Sequence, residues 1–280
     1  MDTVRTVVDL RARIAAWRRD GASVGLVPTM GGLHEGHLSL IRLAANRADK
    51  VVATLFVNPA QFAPNEDFSA YPRDETADRD RFASAGAALL FAPEIGEIYP
   101  DGHATRVEVQ GLSHVLEGEF RPHFFTGVAT VVSKLLIQAM ADVAVFGEKD
   151  FQQLQVIRRM ARDLDIPTEI LGGPTVRDAD GLALSSRNAY LSNAERAVAP
   201  ALHAAIGDVA AAVRSADGAE AEAVCRTAAT GLIEAGFREV DYISVRDATT
   251  LEPVSDHTRP ARVLAAAWLG KTRLIDNIAV

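Results

Sequence analysis

Short apolar runs alternate with longer runs of mixed polarity through the first 170 residues of the chain. The apolar runs have the length and side chains typical of buried strands, and they predict strands over residues 24–27, 50–57, 88–92 and 143–146. In the mixed runs, apolar residues recur along one helical face, which predicts helices over residues 38–48, 76–85, 128–140 and 151–164. Because fully apolar strands that alternate with helices form parallel sheets covered on both faces, we expect an α/β fold with a doubly wound parallel sheet. Ligands of such sheets bind at the carboxyl ends of the strands.

The pattern changes near Gly172-Gly173-Pro174, a cluster of helix and strand breakers that suits a domain boundary. Ser192 and Glu195 then form the signature of a capping box, which predicts a long alanine-rich helix to about residue 213. A second helix over 219–235 and antiparallel strands over 240–245, 262–269 and 272–275 follow. We therefore predict two domains, a Rossmann-like domain over residues 1–175 and a smaller α+β domain over residues 176–280.

Composition narrows the class of protein. The chain has 280 residues, 48% hydrophobic and 24% charged, which is ordinary for a soluble globular enzyme. Its formal charge of -8 argues against a nucleic-acid partner, since binding to phosphate backbones needs a positive surface. Cys225 is the only cysteine, so no intrachain disulfide can form, and no apolar signal core follows the first residues. The longest apolar run, residues 263–269, is too short to span a bilayer. We expect a cytoplasmic protein with no membrane partner.

A glycine-rich turn with two histidines follows the first predicted strand, in the segment PTMGGLHEGH at residues 28–37. Its glycines permit close approach of the backbone to a ligand. A helix N-terminus directly after such a turn favours anions, and His34 and His37 add two donors for phosphate. Two surface histidines or a metal pair are the alternatives, but a zinc site normally needs a third strong ligand, and only Glu35 lies nearby.

Polar side chains also follow two other predicted strands. Asn58 and Gln61 come after the second strand, and their amides suit a small hydroxylated or carboxylated molecule, although taken alone they are better explained as loop caps. Lys149 lies after the strand over 143–146 and can place a positive charge on a phosphate. Asp150 is placed to cap the next helix, and Gln153 lies one turn further, where it could face the pocket of Gln61.

Two loop segments add candidate cations. Ser185, Ser186 and Arg187 lie just past the predicted boundary, where two hydroxyls and a guanidinium could bind a polyphosphate. Taken alone, this is a common loop sequence. The segment Arg121–Gly127 precedes a predicted helix and could supply a lid or another cation, or be purely structural.

The chain closely resembles the pantoate–β-alanine ligase family in five ordered segments: PTMGGLHEGH (28–37), FVNPAQF (56–62), AYPR (70–73), FGEKDFQQL (146–154) and PTVRDADGLALSSRN (174–188). The His-x-x-His turn also resembles the signature of the wider nucleotidyltransferase superfamily. The resemblance implies that ATP and pantoate form pantoyl adenylate and pyrophosphate, and that β-alanine then displaces AMP to give pantothenate. It further implies Mg²⁺ with the ATP and a homodimer.

The resemblance also implies roles for individual residues. His34, His37, Lys149 and Arg187 would be catalytic, with His37 as a proton donor to the leaving group. Asn58, Gln61 and Gln153 would bind pantoate, with Gln61 also near β-alanine. The nucleotide would contact Met30, Gly31, Gly32, Leu33, His34, Glu35, Gly36, His37, Gly147, Glu148, Lys149, Asp150, Val176, Leu184, Ser185, Ser186 and Arg187. Since a mixed anhydride is prone to hydrolysis, we expect the second domain to close over the first.

The chain departs from the family pattern at Arg121–Gly127, where RPHFFTG stands in place of RPGHFRG, so we exclude this segment from the site. The magnesium ligands are not assigned, although Asp78 is a candidate. Other adenylyl-transferring enzymes of the same fold are the nearest alternative, but they need no amine co-substrate. A tRNA-charging enzyme is disfavoured by the acidic charge, and an ATP-binding sensor would leave both histidines without a role.

Overall fold

The computed structural model describes residues 1–63, 68, 74–215, 221–254 and 259–280. The AYPR motif at 70–73 lies outside the described residues. The strands are β1 Asp2–Val4, β2 Val24–Thr29, β3 Lys50–Leu55, β4 Leu89–Phe91, β5 Val143–Gly147, β6 Glu169–Gly173, β7 Glu239–Asp247, β8 Ala261–Leu269 and β9 Thr272–Ala279. The helices are α1 Val7–Arg19, α2 Glu35–Ala45, α3 Glu75–Ala85, α4 Ile95–Ile98, α5 Glu117–Phe120, α6 Phe124–Ala139, α7 Phe151–Asp163, α8 Asn193–Val198, α9 Ala201–Ser215 and α10 Ala221–Glu234.

The first six strands form one parallel sheet in the order β1-β4-β3-β2-β5-β6, which confirms the predicted doubly wound fold. From β2 the chain proceeds outward through β3 and β4, whereas β5 pairs with the opposite edge of β2 and leads on to β6. The strand order therefore reverses between β2 and β5. In open α/β sheets, the crevice at the carboxyl ends of two such strands is where ligands bind.

Hydrophobic clusters cover both faces of this sheet. On one face, side chains of α1, α6 and α7 pack with β2, β4 and β5, and on the other face α2 and α3 pack with β2, β3 and β4. Helix α6 is buried on most sides because its sequence, FFTGVATVVSKLLIQA, is almost entirely apolar. These two layers fix the strand ends and hence the turns that follow them.

The structure corrects several predicted element boundaries. Helix α2 begins at Glu35 rather than residue 38, because the side chains of His34 and His37 cap the helix one turn earlier. Strand β6 was missed because Gly172-Gly173 reads as a breaker. Glycine suits the close approach of α2 there, since a Cβ on Gly173 would contact the end of the Leu40 side chain and force it to move. Strand β1 and helix α1 were not predicted either, and β9 extends four residues beyond the predicted end at Ile275.

The last three strands form a separate antiparallel sheet in the order β7-β8-β9, as predicted. Helices α9 and α10 pack on it around a second hydrophobic cluster. The capping box of Ser192 and Glu195 is present, but the helix that it begins ends at Val198 and α9 restarts at Ala201, beside Pro200. By length and composition alone, the stretch Asn193–Ser215 is the one described helical segment able to cross a membrane. Its apolar residues pack in the core of this second unit.

Candidate active site

A cavity of about 700 Å³ opens at the carboxyl ends of β2 and β5, between the parallel sheet and the antiparallel sheet. It brings together most of the predicted site residues: Met30, His34, Gly36, His37, Asn58, Gln61, Gly147, Lys149, Asp150, Gln153, Val176, Leu184, Ser185, Ser186 and Arg187. Five others do not line it: Gly31, Gly32, Leu33, Glu35 and Glu148. Glu35 instead pairs with Arg42 on the exposed surface of α2, and Glu148 pairs with Arg262 at 3.1 Å.

The glycine turn after β2 is held from behind by a buried carboxylate. Gly31 and Gly32 have φ values of 92° and 64°, a left-handed conformation that glycine adopts without a steric penalty. The backbone N–H groups of Gly32 and Leu33 donate to Asp78 at 3.1 and 3.2 Å. These N–H groups are therefore occupied and do not point at a phosphate. Asp78 is 3% exposed, so it stabilises the turn and is unsuited to the magnesium role considered above.

The two histidines cap α2 and are neutral. His34 Nδ1 accepts from Gly36 N at 3.2 Å, and His37 Nδ1 accepts from His34 N at 3.3 Å. Each ring therefore carries its proton on Nε2 and has one N–H to donate. Burial lowers the pKa of His34 to about 4 and that of His37 to about 3, and the nearby Lys149 charge adds to both shifts. The two histidines are therefore neutral donors rather than cations.

The turn after β5 carries Lys149 in a single 3-10 turn, Glu148–Asp150. Lys149 lines the cavity, and its side chain forms no ion pair with any other described residue. Asp150 occupies the N-cap position of α7, but its side chain makes no capping hydrogen bond, which corrects the predicted capping role. The amide Nδ2 of Asn277, from β9, donates to the carbonyls of Glu148 at 2.9 Å and Lys149 at 2.8 Å.

The side-chain amides of Asn58 and Gln61, which follow β3, are hydrogen-bonded to each other. Asn58 is 1% exposed, and its Nδ2 donates to Gln61 Oε1 at 3.0 Å and to Gly127 O at 3.1 Å. Its Oδ1 accepts from Tyr99 Oη at 2.7 Å and from Ala60 N at 3.2 Å. All hydrogen-bonding groups of the Asn58 side chain are thus engaged within the protein. The structure therefore favours a role for Asn58 in holding Gln61, in place of the predicted direct contact with pantoate. Because Gln61 Oε1 is already engaged, its Nε2 donor is the part that faces Met30 and the cavity.

The loop before Arg187 is fixed to the antiparallel sheet. Arg177 and Ala183 form an antiparallel bridge, so residues 176–184 turn back and deliver Ser185–Arg187 to the cavity. Ser185 Oγ accepts from Arg187 N at 3.3 Å and caps the 3-10 turn Ser186–Tyr190. The guanidinium of Arg177 binds both carboxylate oxygens of Asp276 in β9, at 2.6 and 2.8 Å.

A buried ionic cluster also connects the two units, and sequence reasoning missed it. Glu117, 7% exposed, accepts from Arg273 in β9 at 2.6 and 2.8 Å and from Arg121 at 3.3 Å. Arg273 also donates to Asp241 in β7 at 2.6 Å. Arg121 therefore helps to connect the two units, which gives the excluded segment a structural role. The sequence signal was the charge at 273, directly before the apolar pair Leu274-Ile275.

The fold and the cavity together define a nucleotide-binding α/β enzyme of the Rossmann-like class, with its site at the reversal of strand order. Comparison with known proteins identifies the family. The model of the family described as pantoate-beta-alanine ligase matches residues 2–279. The chain belongs to the pantoate–β-alanine ligase family.

Individual relatives agree along the whole chain. A pantothenate synthetase from Paramagnetospirillum magneticum is 58% identical over 277 residues, 99% of this chain and 97% of the relative. One from Caulobacter vibrioides is 59% identical over 282 residues, 99% and 98% of the two chains. The crystal structure of pantothenate synthetase from Thermus thermophilus superposes with a TM-score of 0.91 at 47% identity, covering 99% of each chain. The crystal structure of pantoate-beta-alanine ligase from Francisella tularensis, complexed with beta-gamma ATP and β-alanine, gives a TM-score of 0.81 at 32% identity, covering 100% of this chain and 97% of that one.

Proposed function

We propose that this chain condenses pantoate with β-alanine through a pantoyl adenylate, with the cavity between the two sheets as the site of both steps. ATP-dependent formation of pantothenate is the activity of the family to which the chain belongs. The observation that carries the proposed site is the meeting of His34, Lys149 and Arg187 around one cavity, although they lie far apart in the sequence.

In the first step, a carboxylate oxygen of pantoate attacks the α-phosphorus of ATP, and the bond to the bridging oxygen breaks to release pyrophosphate. Such phosphoryl chemistry depends mainly on positioning and on charge stabilisation. Lys149 and Arg187 supply positive charge to the cavity in which the triphosphate would lie. His34 and His37 contribute Nε2–H donors, and the nearby phosphates would raise their pKa values.

Gln61 and Gln153 are the pantoate ligands in this proposal. Both line the cavity, one after β3 and the other in the first turn of α7. Gln61 presents its Nε2 donor because Asn58 occupies its Oε1. A donor amide binds a carboxylate or hydroxyl oxygen without adding a charge that would have to be desolvated. In the second step, the β-alanine nitrogen attacks the acyl carbon, the bond to the AMP oxygen breaks, and the nitrogen loses a proton.

Mg²⁺ is proposed to enter with ATP. Among the described residues, no group of three or more His, Cys, Asp or Glu side chains is placed to hold a metal. Of the described acidic residues that line the cavity, Asp150 alone lacks an ion pair, so its carboxylate is the one that fits contact with a phosphate-bound ion through water. When bound, Mg²⁺ neutralises charge on the phosphates.

The first experiment is exchange of labelled pyrophosphate into ATP. Exchange that requires pantoate and not β-alanine supports an adenylate intermediate, whereas exchange without pantoate, or none at all, contradicts it. This distinguishes the proposal from other adenylyl transfer and from an ATP-binding sensor.

Replacing the Lys149 ammonium is the second experiment. Lys149→Ala should slow exchange about 10²–10³-fold, the size expected for loss of one preorganised charge stabiliser. Lys134→Ala, in α6 outside the cavity, is the matched control and should leave the rate near that of the parent protein. Near-normal exchange by Lys149→Ala would remove the lysine from the mechanism.

We also propose that the unit carrying β7–β9 moves toward the parallel sheet when substrates bind, excluding water from the anhydride. The cavity lies between the two sheets, so such a movement would narrow it. Small-angle scattering should show a smaller radius of gyration with pantoate and a non-hydrolysable ATP analogue. An unchanged radius with both ligands bound would contradict the closure.

A cytoplasmic homodimer with domains 1–175 and 176–280 completes the proposal. The dimer rests on the family resemblance, and the cytoplasmic location rests on the single cysteine, Cys225, which is buried and forms no disulfide. Light scattering coupled to size exclusion should give twice the 30.0 kDa chain mass. A monomer at all concentrations would contradict the dimer.

A further inference from the structure

Two neighbouring residues of β9, Asp276 and Asn277, contact the two segments that carry the candidate cations. Asn277 binds the turn of Lys149, and Asp276 binds Arg177 at the base of the loop that ends in Arg187. Successive side chains of a strand project to opposite faces. Strand β9 therefore lies between the turn Glu148–Asp150, here called the lysine turn, and the loop over residues 176–187, here called the arginine loop. It contacts both. Neither residue is among the cations, amides or histidines assigned above.

The Asn277 amide has all of its hydrogen-bonding groups engaged. Asn277 is 3% exposed, and its Nδ2 donates to two consecutive carbonyls, those of Glu148 and Lys149. Its Oδ1 accepts from Arg262 Nε at 2.6 Å. Arg262 also binds the Glu148 carboxylate at 3.1 Å and lies 3.9 Å over the ring of Phe151. The lysine turn is thus bound through its backbone, its neighbouring carboxylate and the first residue of α7.

Asp276 is equally engaged with the arginine loop. Its side chain is 3% exposed, and both oxygens accept from Arg177, whose guanidinium also donates to Gly181 O at 3.1 Å and Asn277 O at 3.3 Å. Buried bidentate pairs of this kind have fixed geometry, because two parallel hydrogen bonds set both distance and orientation. The loop over 176–184 is therefore fixed relative to β9, and so is the start of Ser185–Arg187.

From these contacts we propose that Asp276 and Asn277 are positioning residues that set the separation between Lys149 and Arg187 across the triphosphate site. Both border the cavity, but their side-chain polar atoms are engaged within the protein, so they act through the backbone of the lysine turn and through Arg177. The inference rests on the proposed roles of Lys149 and Arg187. A misplacement of about 1 Å in a reacting or stabilising group can cost about 10²-fold in rate, so small shifts of either segment would be measurable.

The test is a double-mutant cycle on pantoate-dependent pyrophosphate exchange. Asn277→Ala should lower the exchange rate about 10- to 100-fold in the parent protein. In the Lys149→Ala background it should lower the rate less than about twofold, because the group that it positions is already gone. Asn277→Ser keeps a single hydroxyl donor in place of the amide and should give an intermediate loss. Asp276→Asn should also lower the exchange rate in the parent protein. Most of that loss should disappear when Asp276→Asn is combined with Arg187→Ala.

Asp247→Asn is the matched control. Asp247 is a buried carboxylate of the same sheet, outside the cavity, whose Oδ1 accepts from Thr249 N and Thr250 N and whose Oδ2 pairs with Arg259. It should lower the melting temperature without changing exchange at a temperature well below melting. Exchange rates are compared only for variants that remain folded by circular dichroism.

The outcomes separate the two proposals. If Lys149→Ala slows exchange but Asn277→Ala has no effect, or has the same effect in both backgrounds, the positioning role is wrong while the role of Lys149 stands. If Lys149→Ala leaves exchange intact, both are wrong. If Asn277→Ala does not fold, Asn277→Ser decides by the same comparison.

Discussion

Acid should destabilise the folded chain through the two histidines, and His37 gives the clearest measurement. Its pKa is about 3 in the folded protein because burial disfavours the imidazolium, against about 6.5 for an exposed imidazole of the unfolded chain. A lowered pKa in the folded state means that the unfolded state binds the proton first, so stability falls as the pH drops below about 6.5. Between about pH 7.5 and pH 5, this difference corresponds to about 2 kcal/mol of unfolding free energy.

The assay is urea unfolding of the parent protein and of His37→Gln at both pH values. Glutamine cannot titrate, yet its oxygen can still accept from His34 N at the third helical position, as in an ordinary capping box. The parent protein should lose about 2 kcal/mol more than the variant on acidification. Ser39→Ala, in the same helical turn, should keep the pH dependence of the parent. Equal losses in His37→Gln and the parent would refute the assignment of a buried, neutral imidazole.

Three further substitutions test the supports of the site. Tyr99→Phe removes the donor to Asn58 and should raise the KM for pantoate about two- to tenfold while leaving the KM for ATP unchanged; equal changes in both would contradict this. Gly127→Ala places a Cβ against the carbonyl of Ala60 and should lower the free energy of unfolding, measured in urea, by about 1–3 kcal/mol. An unchanged urea midpoint would show that the contact relaxes. Asp78→Asn leaves one N–H of the glycine turn without its acceptor and should raise the KM for ATP; an unaltered KM would mean that the turn holds without the carboxylate.

The parallel sheet and the general place of the site could be predicted from sequence. Its central strands are continuous apolar runs, such as residues 143–146, and they alternate with helices of clear periodicity. The polar segments after them had to meet at one edge of the sheet, because parallel strands end on the same side. His34, Lys149 and Gln61 are all of this kind.

The parts that were missed depend on contacts that no local pattern reveals. Strand β6 forms from a sequence ending in two glycines because it pairs with β5 along residues 143–147, and the glycine at 173 leaves room for Leu40 of α2. The neutral state of His34 follows from burial beneath elements distant in the sequence. The proposed role of Asn277 could not be predicted from sequence because it depends on the packing of β9 against the lysine turn. The one visible signal was a pair of successive polar residues within the otherwise apolar segment 274–278. Burial and long-range pairing, which decide these features, are set by the tertiary structure.

The reversal of strand order also constrains the order of folding. The hydrogen bond from Val24 N to Asp142 spans 118 residues, and the bond from Asn277 to Lys149 O spans 128. Closing such long loops carries an entropic cost before any contact compensates for it, so these pairings are expected to form late. On a ribosome, the histidine turn would emerge early, but the lysine turn could reach its final geometry only after residue 277 had been translated. Partly synthesised chains would therefore be unable to activate substrate.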